Sequence, residues 1–171
     1  MEEFTTIPAD SDNTKSALHE AYALVGAVTP LELNEKYVEE DQRLFKSGEW
    51  DYKNPSLLTN QIKTILEKID VNILDEEEKE WRDEILWFWN HHAISIAVWK
   101  YRDQAAALQF AEQALIVQPG DHPNLITKLL YYLVQGDVRA AKAHAETIVD
   151  EVEGPTATEL IAEYEAQPWF T

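Results

Sequence analysis

Apolar residues recur every three or four positions along this chain and nowhere alternate over the length of a strand, so the pattern predicts helices. From Thr14 to Val28, the residues Ala17, Leu18, Ala21, Leu24, Val25 and Val28 fall on one broad face. Thr29-Pro30-Leu31-Glu32 predicts the next start. Thr29 caps, Pro30 suits a first-turn position that needs no N–H, and Glu32 can close a capping box. This helix carries Leu33, Tyr37, Leu44 and Phe45, and Ser47-Gly48 should end it, because glycine accepts the left-handed C-terminal conformation. A connector, Trp50 to Lys53, follows. Asn54-Pro55 then reads as a further start, with Leu58, Ile62, Ile65 and Ile69 as its stripe, and Asp70 to Leu74 as a break. Asp75 should cap a long helix reaching about Tyr101. Its acidic first turn, Glu76 to Glu78, suits the positive end of the helix dipole better than it suggests a cation site. Trp81, Ile85, Phe88, His92, Ile96 and Trp99 would line one face, while Leu86, Trp87, Trp89, Ile94 and Val98 add apolar surface elsewhere. A helix apolar on most sides is a central one.

Three helices are expected over Asp103–Val117, Pro123–Gln135 and Val138 to about Val152. Gly154-Pro155 should break the chain, and Thr156 with Glu159 should open a last helix reaching Gln167. Pro168 would stop it, leaving the aromatic tail Trp169-Phe170. There is no Asn-Gly or Asp-Gly hairpin turn. The expected fold is therefore all-α, about eight helices in stacked antiparallel hairpins. Residues 1–13 read as a flexible arm and 14–171 as one helical domain. That domain comprises N-terminal helices over 14–87, two similar units over 88–153 and a capping helix over 156–167.

The similarity of those two units lies in specific residues. In Arg102–Pro119, Ala107, Ala114 and Pro119 stand where the second helix of a tetratricopeptide repeat has Ala, Ala and Pro. Ala111 stands where that family has an aromatic, with Phe110 one place early. Carried forward by about 34 residues, the register places Leu125, Leu129 and Tyr132 on a first helix, Gly136-Asp137 at a turn, and Ala141 and Ala145 on a second helix. Carried backward, it places His91, Ile94, Ser95 and Val98 on an earlier first helix. The chain thus resembles a tetratricopeptide-repeat protein over residues 88–153. The resemblance implies a right-handed α-α superhelix whose first helices line a groove for a partner. In this register the groove positions are Trp89, His92, Ile96, Trp99, Lys100, Ile126, Leu130 and Leu133.

Charge narrows the partner. The chain has 171 residues, with 14 Lys and Arg against 32 Asp and Glu, a net charge of -18. Such a field repels nucleic acid and anionic lipid and favours basic or amphipathic protein segments. Carboxylates gather near the end, where Asp150, Glu151, Glu153, Glu159 and Glu163 form a candidate acidic patch with no Lys or Arg after Lys142. Ile85 to Trp99, the most apolar stretch, is too short to span a bilayer. Met1-Glu2-Glu3 lacks the positive charge of a secretory leader. A cytoplasmic protein is expected.

Chemistry is sparse. With no Cys there are no disulfides or thiolate metal sites. The five His form no His-Glu-x-x-His motif, and adjacent His91 and His92 would point about 100° apart on a helix. No glycine-rich phosphate loop or nucleophile elbow occurs. The expectation is a non-enzymatic protein-interaction module with no cofactor or metal, chaperone-like in character, with self-association left open. The alternative is an acidic inhibitor, immunity protein or nucleic-acid mimic acting through its negative surface. Helical chaperones of secretion systems are similar in size and acidity.

Overall fold

The computed structural model of the chain describes residues 20, 22–24, 26–27, 29–117, 125–148 and 153–167. Among the described residues the fold is all-α, with no strand. None of the described helices is long and apolar enough to cross a membrane. The chain divides into two compact units, Met1–Leu86 and Trp87–Thr171, and the division falls inside a helix.

In the first unit, residues 22–24 are helical and the turn closes at Gly26, whose φ is 75°. Ala27 N–H bonds Tyr22 O at 2.8 Å. That left-handed glycine ends the helix short of the expected Val28. Helix α1, Pro30–Ser47, is capped by Thr29 Oγ1, which accepts from Glu32 N–H at 3.2 Å, and ends at Gly48 with φ 77°. The Asn54-Pro55 start is corrected. Asn54 Oδ1 accepts from Ser56 N–H at 3.1 Å and holds a turn instead, and α2 spans Leu58–Lys68. A short 3-10 turn, Val71–Ile73, fills the break. Asp75 and Glu78 then form a reciprocal capping box at the start of α3, Glu76–Ile96: Glu78 N–H donates to Asp75 Oδ1 at 2.8 Å, and Asp75 N–H to Glu78 Oε1 at 3.2 Å.

Helices α1 and α2 pack together, and Leu33, Tyr37 and Leu44 of α1 and Ile62 and Leu66 of α2 are buried. Trp50, read from the sequence as connector, is fully buried, and its indole N–H donates to the buried Asp41 at 2.9 Å. Burial and the neighbouring Asp41 carboxylate push the Tyr37 hydroxyl well above its ordinary pKa. Asn60 ties the connector down by donating to Asp51 O at 2.7 Å and Asn54 O at 2.6 Å.

In the second unit the expected helix to Tyr101 changes character. After Ile96 the chain makes one wide π turn, Ala97–Tyr101, and closes at Arg102 with φ 54°. Asp103 then caps α4, Gln104–Ile116, accepting from Ala106 N–H at 3.0 Å. Helix α5 is Leu125–Gln135. Gly136, with φ 83°, turns the chain, and Asp137 caps α6, Val138–Ala145. This helix is shorter than expected: Glu146, Thr147 and Ile148 form a closing turn in which the Thr147 hydroxyl donates to His144 O at 2.7 Å. Helix α7, Glu153–Glu165, includes Gly154 and Pro155, which were expected to break the chain. Proline fits there because a first helical turn needs no N–H from it. The aromatic tail and the closing Pro119 of the repeat pattern lie outside the described residues.

Small residues set how closely these helices approach. Ala107, Ala111 and Ala114 on α4 and Ala141 on α6 are fully buried. Helix α4 packs on α5 and on the wide turn, α5 on α6 and α7, and α6 on α7.

Candidate functional site

The buried face of the second half of α3 is Trp89, Asn90, Ala93 and Ile94, continued into the wide turn by Ala97 and Val98. The expected stripe through Phe88, His92 and Trp99 is therefore displaced. Phe88 and Trp99 are each 39% exposed. Trp89, expected in a groove, is core: its ring meets Phe110 of α4 edge-on at 5.5 Å. Leu133 is core as well. His92 and Ile96 are half-buried, and Lys100 is exposed with its ammonium 5.3 Å from the Tyr101 ring.

A cavity of about 250 Å³ lies within the second unit. Helix α3 supplies His91, Ile94 and Ser95, and the wide turn supplies Trp99. Helix α5 gives Ile126 and Leu130, and α7 gives Leu160, Glu163 and Tyr164. Three expected groove residues, Trp99, Ile126 and Leu130, thus meet one residue of the expected acidic patch, Glu163. The floor is apolar and buried at Ile94 and Leu130, while Trp99 and Glu163 are exposed at the rim. By contrast, a cavity beside Tyr22, Leu33 and Leu66 in the first unit has about 10 Å³, room for a single water.

The lining is held in place by polar contacts. The Trp87 indole N–H donates to Thr127 Oγ1 at 3.2 Å, and His91 Nε2 lies 2.7 Å from the same oxygen. The Trp87 and His91 rings lie with their centres 4.1 Å apart, tilted by 38°. Burial, with a smaller contribution from His92, lowers the His91 pKa to about 4, so the imidazole is neutral at pH 7. Tyr164 is buried beneath the rim, its ring edge-on to Trp99 at 5.7 Å, and desolvation pushes its hydroxyl pKa well up. Arg102 sits outside the lining, donating to Gln167 Oε1 at 2.5 Å with its guanidinium 5.8 Å from the Trp99 ring.

Among the described residues no Lys or Arg pairs with Glu163, whereas Glu165 pairs with Lys142 at 2.8 Å. Glu159 is exposed one turn before Glu163, on the same face of α7. Glu153 opens that helix, and Asp150 and Glu151 lie outside the described residues. Among the described residues no group of three or more His, Asp or Glu could hold a metal ion.

His91, Ile94 and Ser95 were placed by the repeat register on a first helix but not among its groove positions, and Leu160 and Tyr164 belong to the helix read as a cap. The sequence gives no signal that α7 returns to α3 and α5. Comparison with known protein families, with curated proteins and with solved structures found no match for this chain.

Proposed function

We propose that the chain is a non-enzymatic, cytoplasmic protein-interaction module of tetratricopeptide-like construction, and that the cavity of its second unit receives an amphipathic segment carrying positive charge. One observation carries this reading: a cavity with an aliphatic floor opens between an exposed Trp and an exposed carboxylate that pairs with no Lys or Arg among the described residues. Aromatic residues at the edge of a pocket are the common anchors of protein interfaces. The acidic balance of the chain favours a basic partner. The buried alanines of α4 and α6, and the packing of each helix from α4 to α7 on its successor, support the repeat-like part of the reading.

The test is a photo-cross-linker placed at residue 99 in the native host, with a second at exposed Gln109 of α4 as control. A defined protein adduct from residue 99 that is absent from residue 109 supports the module. Equal labelling from both positions, or none from residue 99, rejects it.

A further inference from the structure

We infer that the second unit's cavity is an anchor pocket for one long cationic side chain, a lysine or arginine presented by a partner protein. This inference rests on the protein-interaction reading above. Size comes first. At about 250 Å³ the cavity stands at the small end of ligand sites and has ample room for one long side chain. Its depth is aliphatic: Ile94 and Leu130 are buried at the floor, with Ile126 and Leu160 half-buried above them. That surface accepts methylene groups.

The rim asks for the opposite chemistry. Glu163 is exposed there without a Lys or Arg partner among the described residues, and Trp99 offers an exposed ring. A cation is attracted by a carboxylate and by an aromatic face alike. Lysine and arginine join both halves in one side chain, burying an apolar stem while the charged head stays near water. A leucine anchor would fill the floor but would leave Glu163 desolvated beneath the partner with nothing to neutralise it. An aspartate or glutamate anchor would be repelled. Among the described lining residues the one basic group is the His91 imidazole, neutral at pH 7; Arg102, outside the lining, already sits 5.8 Å from the Trp99 ring and is tied to Gln167, so the Glu163 carboxylate supplies the main attraction. The unit as a whole adds attraction, since residues 87–171 hold 11 carboxylates against 5 Lys and Arg.

The test uses the full chain and three probes with the same five-carbon stem: n-pentylammonium, n-pentylguanidinium and n-pentanol. The Trp99 indole N–H resonance, assigned by its loss in Trp99→Phe, reports occupancy. Both cations should shift that resonance at millimolar concentration and bind about 10-fold more tightly than pentanol. Glu163→Gln should remove that advantage and leave pentanol unchanged. Equal binding of pentanol and the cations, cations indifferent to Glu163→Gln, or no response from any probe would each overturn the anchor assignment. Any of these leaves the protein-interaction reading to the cross-link from residue 99. If that cross-link fails while the cations bind as expected, the pocket recognises alkyl cations but the module reading falls.

Discussion

His91 packs its imidazole against Trp87 and Thr127 beside a cavity, and burial keeps it neutral. In the unfolded chain a histidine takes up its proton near pH 6.5; here it does so only near pH 4. Stability from this group is therefore full above pH 6.5 and is lost progressively as pH falls toward 4. The loss amounts to about 2–3 kcal/mol. Urea denaturation of the wild type and His91→Gln at pH 7.5 and pH 4.5 should show a smaller acid-induced drop in the variant. A parallel drop in both would mean that other groups carry the acid sensitivity. The two tryptophans of this segment should separate just as clearly. Trp89 is enclosed against Phe110, so Trp89→Ala should cost about 3–5 kcal/mol through the cavity it leaves. Trp99 is 39% exposed, and its replacement by Ala should cost less than about 2 kcal/mol. Similar denaturation midpoints for the two variants would contradict this assignment of core and rim.

At the scale of the element, caps were the most legible feature. Thr29 and Asp75 cap where the sequence placed them and Asp103 and Asp137 cap at the expected starts, whereas Asn54 holds a turn instead; a short acceptor side chain reaching a backbone N–H three residues on is a local event. Helix phase was legible only where one side of a helix is polar. On α3 large apolar residues occur all round, so the sequence could not tell which face was covered. The deciding feature is the pair of fully buried alanines, Ala93 on α3 and Ala97 at the start of the wide turn. Glycine and proline misled in α7, where a first-turn proline was read as a break. The site was legible in part. Trp99, Ile126 and Leu130 follow from the repeat register that the resemblance implies, but Leu160, Glu163 and Tyr164 reach the cavity through a return of the chain that no local pattern announces. The buried alanines of α4 give a direct check: Ala114→Leu should overpack the contact and cost about 1–3 kcal/mol, measured by thermal or urea unfolding. An unchanged midpoint would mean that α4 has room at that position.

Over the whole molecule the charge is unevenly divided. Residues 1–86 hold 21 carboxylates against 9 Lys and Arg, and residues 87–171 hold 11 against 5. The cavity thus belongs to the less charged unit. In the proposed reading, long-range attraction of a basic partner would come from the entire chain and recognition from one site. The two contributions have different salt responses, since screening acts over about 8–10 Å at ordinary ionic strength. Raising salt should slow association of the cross-linked partner more than it speeds dissociation, as stopped-flow mixing would show. Dissociation that accelerates while association holds steady would place the electrostatics inside the contact rather than in the approach.

The wide turn at Ala97–Tyr101 has a consequence for how this chain tolerates changes of length. An ordinary helix advances its faces by about 100° per residue, so losing one residue from its middle rotates everything beyond the gap by that angle. In α4 such a loss would swing Ala114 away from its contact. A π turn holds one residue more than an α turn, as a spare link does in a chain. Removing Lys100 would let the segment close with α-helical hydrogen bonds while Asp103 still caps α4. The variant lacking Lys100 should therefore fold with a near-native midpoint, whereas the variant lacking Gln109 should not fold. The segment beside the cavity is the place where this protein could gain or shed a residue and remain itself.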